Sequence, residues 1–285
     1  MKNVYIIGVG LIGGSLALDI KANYSETIIF GIDNNETHLD KAIALNVIDK
    51  KAMLSDITNA DLVIIAIPVD ATVNSISDIL DKVSEHTLVI DVGSTKEDIC
   101  YSIESHQNRR NFLAAHPIAG TEFSGPSAAI HGLFKDKTMI ICEVEKTAFK
   151  LQEKALQLFS DLGMRIRYMN PKAHDKHIAY VSHLSHISSF MLGKTVIEKE
   201  KNERDIFDMA GSGFESTVRL AKSSPAMWTP IFQQNKTNVI ETLNEYIANL
   251  TQFKELMEKG DFESVYDEMK DINHIKDILE GIIKV

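Results

Sequence analysis

The feature that most constrains this chain is a glycine pattern directly after its first apolar run. Val4–Ile7 leads into Gly8, Gly10 and Gly13, and a second apolar run occupies residues 27–32. This spacing predicts a strand, a tight turn, a helix and a second parallel strand, which together open a dinucleotide-binding fold. In such a turn Gly8 permits the bend, Gly10 lets the backbone approach a pyrophosphate, and Gly13 lets the helix pack on the strand.

An acidic residue, Asp33, ends the second apolar run twenty residues after Gly13. A carboxylate there accepts hydrogen bonds from the ribose hydroxyls of NAD and repels the 2′-phosphate of NADP, so we expect the cofactor to be NAD. The predicted cofactor-binding residues are Gly8, Gly10, Leu11, Ile12, Gly13 and Asp33. The alternatives are a glycine-rich turn that binds nothing and a signal peptide over residues 4–18, which lacks a clustered basic region.

Short β-branched runs alternate with helical patterns over the first 169 residues. The predicted strands lie near 3–8, 27–32, 61–67, 87–92, 112–115, 138–144 and 164–169. The predicted helices lie near 12–22, 35–45, 70–83, 96–105 and 148–162. This alternation predicts an α/β domain over residues 1–169 with a Rossmann-type, doubly wound sheet.

Helical periodicity replaces the strand pattern after Asn170, where Pro171 suits the first turn of a helix. The predicted helical segments lie near 171–199, 203–210, 214–222, 226–258 and 261–283. They make an all-α domain over residues 170–285. Their apolar faces exceed what one small bundle buries, so we expect a homodimer that associates through this domain.

Composition disfavours several classes of partner. A formal net charge of −10 disfavours nucleic acid, because nucleic-acid binding needs a basic surface. The apolar run at 62–67 is far shorter than the roughly 20 residues of a membrane helix, so we expect no membrane partner. Cys100 and Cys142 suggest no disulfide framework and are typical of a reducing compartment, which predicts a cytoplasmic location.

Catalytic groups are expected at the carboxyl ends of the strands, where open α/β sheets bind ligands. Within Asp91–Glu97 a strand stops at glycine and turns into a helix, and Ser94 is either a functional hydroxyl or a helix cap. His116 ends another strand and precedes a proline and a glycine-punctuated loop. Since histidine accepts a proton near neutral pH, as alcohol oxidation by NAD requires, His116 is a candidate general base; the alternative is a packed histidine.

The helical segment after the proline carries four histidines: His174, His177, His183 and His186. In a regular helix the first two point away from the last two, so the four cannot meet at one ion and no metal is expected. The same geometry places Asp175, Ser182 and His186 on one stripe. A polar stripe on an apolar helix needs partners, either water and neighbouring side chains or a polar substrate.

Five segments together resemble the prephenate and arogenate dehydrogenases, NAD(P)-dependent enzymes of tyrosine biosynthesis. They read GVGLIGGSLA (8–17), DVGSTK (91–96), HPIAGTEFSG (116–125), HDKHIAYVSHLSH (174–186) and GSGFESTVRLAKSSPAMW (211–228). The resemblance covers essentially the whole chain. It implies a Rossmann domain followed by a helical dimerisation domain, with the active site in the cleft between them, and the NAD-dependent oxidative decarboxylation of prephenate.

The resemblance also implies roles for individual residues. His116 resembles the catalytic base that deprotonates the C4 hydroxyl of prephenate, and Ser94 resembles its hydroxyl partner beside the nicotinamide. Arg219 resembles a clamp for a substrate carboxylate. The other residues that the resemblance places around the substrate are Ser182, His186, Glu122 and Trp228.

Several alternatives stay open. Arg219 also has the spacing of an i,i+4 surface pair with Glu215. The family often has proline where this chain has Ser185, which leaves the orientation of His186 open. For the function, the alternatives are arogenate as the substrate, a β-hydroxyacid-type dehydrogenase or imine reductase of the same two-domain plan, and a non-catalytic NAD-sensing protein.

Overall fold

An eight-stranded sheet organises the first part of the chain in the computed structural model, which describes residues 1–201 and 205–284. Its strands are β1 (Asn3–Ile7), β2 (Ile28–Ile32), β3 (Lys50–Lys51), β4 (Leu62–Ile65), β5 (Leu88–Asp91), β6 (Phe112–Pro117), β7 (Thr138–Cys142) and β8 (Arg165–Met169). Their spatial order is β3-β2-β1-β4-β5-β6-β7-β8, and only β6 and β7 pair antiparallel. All seven predicted strands are present. The eighth, β3, consists of two exposed lysines and therefore gives no apolar signal.

Helices cover both faces of this sheet: α1 (Leu11–Asn23), α2 (Glu36–Ala44), α3 (Val69–Lys82), α4 (Glu97–Ser102) and α5 (Phe149–Asp161). Successive side chains of a strand point to opposite faces, so β1 contributes to two cores. Ile6 lies in one core with Leu16 of α1. The next residue, Ile7, lies in the other core with Ile76 of α3. This two-sided packing confirms the predicted doubly wound, Rossmann-type sheet.

The chain is helical after β8. The helices are α6 (Pro171–Ile178), α7 (Leu184–Glu200), α8 (Ser212–Val218), α9 (Pro225–Gln234), α10 (Lys236–Lys259), α11 (Phe262–Ile272) and α12 (Ile275–Lys284). The first of them begins as predicted. Pro171 occupies the first turn of α6, and the side chain of Asn170 caps it by accepting the N–H of Lys172 at 2.9 Å.

Several of the predicted helical segments are interrupted. A π-helical turn at Ala179–His183 separates α6 from α7, and Asn235 separates α9 from α10. A short 3₁₀ turn at Phe207–Met209 occupies part of the segment predicted at 203–210, of which residues 203 and 204 lie outside the described residues. Amphipathic periodicity does not reveal such breaks, because the apolar pattern resumes within a turn on either side.

The chain divides into two compact units, residues 1–236 and 237–285. The first unit contains the whole sheet and helices α1 to α9. In the second, a 2.7 Å hydrogen bond from Gln252 to Glu268 joins α10 to α11. Across the ranges that the structure describes, no helix has the length and apolar character needed to cross a membrane.

Candidate active site

The glycine turn after β1 leaves room for a ligand where α1 begins. Gly8 has a φ of +93°, and a Cβ there would collide with the backbone of Ala66, so only glycine fits. A Cβ at Gly13 would collide with the carbonyl oxygen of Gly8, because α1 packs closely on β1. At Gly10, in contrast, no described atom lies within 4 Å of the position that a Cβ would take. The backbone at Gly10 is therefore open to the approach of a pyrophosphate.

The N-terminus of α1 lies at this opening without a side-chain cap. The first intrahelical hydrogen bond runs from the N–H of Gly14 to the carbonyl oxygen of Gly10, at 2.8 Å. The N–H groups of Leu11, Ile12 and Gly13 precede that bond and have no place in the helical ladder. Free amides at the positive end of a helix dipole are suited to bind a phosphate group.

Asp33 lies just after β2, beside the glycine turn. Its Oδ2 accepts the N–H of Val9 at 3.2 Å, and its Oδ1 accepts the N–H of Asn35 at 2.9 Å. These bonds fix a carboxylate next to the loop that would hold the pyrophosphate. Together with the open backbone at Gly10, this arrangement fits the ribose and the pyrophosphate of NAD.

The loop that follows β6 is anchored on α1. Ser15 Oγ accepts the N–H of Ile130 at 2.9 Å, and Asp19 Oδ1 accepts the N–H of Gly132 at 2.7 Å. The helix that begins at the glycine turn therefore also positions the chain that leads away from His116.

His116 lies near the carboxyl end of β6, the edge of the sheet to which the parallel strands β1, β4 and β5 also lead. Its Nδ1 lies 2.9 Å from Nε2 of His174 in α6. Burial holds the pKa of His116 well below its ordinary value, and the nearby His174, Lys96 and His183 lower this pKa further. The ring is therefore neutral at neutral pH and able to accept a proton.

Asp175, the residue after His174, caps α4 from a different helix. Its Oδ1 accepts the N–H of Lys96 at 2.8 Å, and its Oδ2 accepts the N–H of Glu97 at 2.9 Å. The same Oδ1 lies 2.7 Å from Nδ1 of His174. Since no side chain of its own segment caps α4, the helix-cap interpretation of Ser94 is wrong. Sequence patterns do not predict the contact between Asp175 and the start of α4, because it joins residues 78 and 79 positions apart.

A buried ion pair supports the turn that carries Ser94. Lys96 is 0% exposed and Asp91 is 1% exposed, and Nζ of Lys96 contacts Oδ2 of Asp91. Asp91 also accepts the N–H of Gly93 at 3.1 Å and the N–H of Ala115 at 3.3 Å. Burial raises the pKa of Asp91, although the Lys96 ammonium opposes this shift. One carboxylate thus joins the turn of Ser94 to β6, the strand that carries His116.

The π turn changes which side chains of α6 and α7 lie together. It contains one extra residue, which rotates every later position by about 100° relative to a regular helix. His183 is consequently fully buried, and its Nδ1 lies 3.2 Å from Nδ2 of Asn235, whereas Ser182 is only half-buried. The regular helix assumed for the stripe of Asp175, Ser182 and His186 is therefore wrong at this point.

His186 stacks on Trp228, with ring centroids 3.6 Å apart and planes 29° apart. Its Nδ1 lies 3.0 Å from the carbonyl oxygen of Ser182, and burial lowers the pKa of His186. Trp228 packs in turn against Val69 of α3. These contacts settle the orientation of His186, although Ser185 replaces the proline frequent in the family.

Arg219 forms an ion pair with Glu122 at 2.9 Å. Arg219 begins a 3₁₀ turn after α8, and Glu122 belongs to the loop after β6. The alternative pair of Arg219 with Glu215 is wrong, since Glu215 instead lies 3.8 Å from Lys222. About half of the Arg219 side chain remains exposed. A hydrogen bond from its own backbone N–H, and then Arg219, lower the pKa of Glu122, so its carboxylate stays ionised.

The structure thus joins three pairs of candidate residues: His116 with His174, Glu122 with Arg219, and His186 with Trp228. Ser94 is half-buried on the turn before α4, and no hydrogen bond between Ser94 and His116 occurs within the described ranges. Sequence reasoning missed His174 as a partner of His116, because the two lie 58 positions apart.

Comparison with known families identifies both halves of the chain. A family model described as prephenate dehydrogenase, nucleotide-binding domain, matches residues 16–168, and one described as prephenate dehydrogenase, dimerization domain, matches residues 170–271. The chain belongs to the prephenate dehydrogenase family. The resemblance inferred from the motifs is confirmed.

Individual relatives of this family align over almost the whole chain. Prephenate dehydrogenase of Bacillus subtilis (strain 168) is 33% identical over 282 residues, which are 97% of this chain and 76% of the relative. Cyclohexadienyl dehydrogenase of Zymomonas mobilis is 28% identical over 273 residues, which are 95% of this chain and 93% of the relative. The crystal structure of prephenate dehydrogenase from A. aeolicus, in complex with hydroxyphenyl propionate and NAD+, superimposes with a TM-score of 0.86 at 32% identity and covers 97% of each chain.

Proposed function

We propose that this protein is an NAD-dependent prephenate dehydrogenase, which converts prephenate to 4-hydroxyphenylpyruvate in tyrosine biosynthesis. The family supports this activity, as do relatives that carry the name prephenate dehydrogenase at 33% and 28% identity. The observation that carries the proposal is the placement of His116. Its neutral imidazole lies at the carboxyl edge of a sheet whose first turn fits a dinucleotide.

Gly8, Gly10, Leu11, Ile12, Gly13 and Asp33 form the proposed cofactor site. NAD+, when bound, supplies the acceptor for the hydride released from C4 of prephenate. Asp33 would accept hydrogen bonds from the ribose hydroxyls, and the free amides of α1 would hold the pyrophosphate.

His116 is the proposed catalytic base. Its imidazole accepts the proton of the C4 hydroxyl as the C4–H bond breaks, so that the hydroxyl becomes a carbonyl. The ring carboxylate then leaves as CO₂, and the ring with its carbonyl rearranges to the phenol of the product. Formation of the aromatic ring makes this loss strongly favourable. Ser94, on the turn after β5, is proposed as the hydroxyl group that helps to hold the substrate oxygen.

Arg219 is the proposed clamp for a substrate carboxylate. A guanidinium matches a carboxylate with two parallel hydrogen bonds, and half of this side chain is accessible despite its pair with Glu122. Glu122, Ser182, His186 and Trp228 are proposed to line the same substrate site. The stacked pair of His186 and Trp228 offers a preformed aromatic wall.

A homodimer associated through the helical part is the proposed assembly. The description of the matched family domain as a dimerization domain supports it. So do exposed apolar side chains on α10 and α12: Ile240, Ile247, Leu250, Met257, Ile275 and Ile278. The division into a nucleotide-binding domain at 1–169 and a helical domain at 170–285 stays a proposal, supported by the matches to 16–168 and 170–271. The free, buried thiols of Cys100 and Cys142 support the proposed cytoplasmic location.

NADH formation with prephenate, arogenate and a panel of β-hydroxyacids tests the function. We expect the highest kcat/KM with prephenate and stoichiometric release of CO₂. A higher kcat/KM with arogenate than with prephenate would make arogenate the substrate. Turnover of hydroxyacids alone would show a β-hydroxyacid-type dehydrogenase instead. Binding of NAD without turnover of any of these compounds would favour a sensing protein.

A further inference from the structure

Two buried residues of α6 form a hydrogen-bonded chain that ends on His116. Nδ1 of His116 lies 2.9 Å from Nε2 of His174, and Nδ1 of His174 lies 2.7 Å from Oδ1 of Asp175. His174 is 2% exposed and Asp175 is 3% exposed, so water does not compete for these bonds.

The acceptor at the end of the chain determines where the protons lie. Both oxygens of Asp175 accept backbone N–H groups, from Lys96 and Glu97. An ionised carboxylate only accepts hydrogen bonds, so Nδ1 of His174 must carry a proton and donate it. In neutral His174, Nε2 is then an acceptor, and the proton between the two rings belongs to Nδ1 of His116. A neutral His116 with a proton on Nδ1 has a free lone pair on Nε2.

We infer that His174 and Asp175 are positioning residues that hold His116 in the tautomer with its proton on Nδ1, leaving Nε2 to accept the hydroxyl proton of the substrate. The catalytic part of this inference rests on the proposed function; the proton placement does not. After proton transfer His116 is an imidazolium whose Nδ1–H still donates to His174. The Asp175 carboxylate, one ring further along, then stabilises that positive charge.

Asp175 also couples this chain to the substrate side of the sheet. Because the same carboxylate caps α4, the helix that follows the turn of Ser94 shares an anchor with the base. Asn235, directly after α9, adds a further restraint by donating to the carbonyl oxygen of Asp175 at 2.6 Å. The hydrogen-bonded chain is therefore held from α4, from α6 and from the end of α9, which leaves the two imidazoles little freedom to rotate.

Long-range ¹H–¹⁵N correlation NMR of the full-length protein labelled with ¹⁵N-histidine tests the proton placement. The signals of His116 are identified by their loss in His116→Asn. We expect a protonated Nδ1 and an unprotonated Nε2 in the wild type. Asp175→Asn replaces the carboxylate with a neutral amide, whose oxygen is a weaker acceptor for Nδ1–H of His174, so the fraction of His116 that carries its proton on Nδ1 should fall.

Kinetics test the consequence. We expect Asp175→Asn to lower kcat at least about tenfold with a KM for prephenate within about threefold of wild type, because the imidazolium of His116 loses the carboxylate charge that stabilises it. A second pair of variants leaves the cap of α4 intact. His174→Gln keeps an acceptor for Nδ1 of His116 and should retain at least about tenfold more kcat than His174→Leu, which has none. His177→Gln, on the exposed side of α6, is the matched control and should stay within about twofold of wild type.

A wild-type His116 protonated on Nε2 would overturn the inference, as would equal kcat values for His174→Gln and His174→Leu. If Asp175→Asn fails to fold, the kcat values of the two His174 variants and the wild-type NMR spectrum still test the inference. A wild type that leaves prephenate unchanged but shows the proton on Nδ1 would refute the proposed function and retain the proton placement.

Discussion

The ammonium of Lys96 and the carboxylate of Asp91 form an ion pair in which both side chains are closed to solvent. Asp91 is the last residue of β5, and Lys96 directly precedes α4. The pair thus spans the turn that carries Ser94. Because each charge is buried, neither can be hydrated when its partner is lost.

Lys96→Met should therefore lower the free energy of unfolding by about 3–5 kcal/mol, since it leaves the Asp91 carboxylate buried without a counter-charge. The double variant Asp91→Asn with Lys96→Met should recover at least half of this loss. Urea unfolding at one fixed protein concentration measures both, and Lys82→Met, at an exposed lysine of α3, is the control. A loss below about 1 kcal/mol for Lys96→Met would contradict the prediction.

His116→Asn should lower kcat by about 10²- to 10⁴-fold, which is the usual contribution of a positioned general base. Binding of NAD, measured by calorimetry, should change little, because the proposed cofactor residues lie in the turn after β1, in the first turn of α1 and directly after β2. His86→Asn, at a side chain that is 86% exposed, is the control. A kcat of His116→Asn within threefold of the wild-type value would show that His116 is not the catalytic base.

Arg219→Lys should raise the KM for prephenate at least about tenfold and leave the KM for NAD nearly unchanged. Lysine replaces two parallel hydrogen bonds to a carboxylate with a point charge. Initial rates over a matrix of both substrates measure the two constants, and Lys222→Gln in the same 3₁₀ turn is the control. An unchanged KM would limit Arg219 to its ion pair with Glu122.

Wild type should prefer NAD to NADP. Asp33→Ser should lower the ratio of kcat/KM with NAD to kcat/KM with NADP by roughly tenfold or more. The substitution removes the repulsion between the carboxylate and the 2′-phosphate, and a tenfold change corresponds to about 1.4 kcal/mol. Steady-state kinetics with each cofactor provide the ratio. Equal wild-type kcat/KM values for NAD and NADP would refute the assignment of Asp33.

The free energy of unfolding should fall as the pH falls below about 6.5, which is the unperturbed pKa of histidine. The reason is that His183 is buried in its neutral form. Burial lowers the pKa of His183 to about 4 in the folded chain, so the unfolded chain binds the proton first. The contribution of neutral His183 to the free energy of unfolding is complete above about pH 6.5. It is lost progressively as the pH falls towards 4, by about 3 kcal/mol in total.

Urea midpoints at several pH values measure this dependence. His183→Gln should flatten the slope between about pH 6.5 and 4, and His177→Gln, at an exposed position of α6, should keep the wild-type slope. An unchanged slope in His183→Gln would show that other groups govern the loss in acid.

The sequence by itself determined the Rossmann-type sheet and indicated NAD as the cofactor. The pattern of Gly8, Gly10, Gly13 and Asp33 works through the backbone of two consecutive strands and the helix between them, so its meaning is local. The buried strands could be predicted equally well, because buried parallel strands form continuous apolar runs, whereas the two exposed lysines of β3 give no such signal. His116 was found as a candidate for the same reason, since its position at a strand end is a local property.

Tertiary structure alone decided which side chains meet. The contacts of His116 with His174, of Asp175 with Glu97 of α4, and of Glu122 with Arg219 join residues 58, 78 and 97 positions apart, and no periodicity encodes such pairs. The π turn at Ala179–His183 likewise decided which side chains of one helical segment lie together. A single extra residue rotated His183 into the interior, because packing against Trp228 and Asn235, rather than the intrinsic helical period, fixed the rotation of α7.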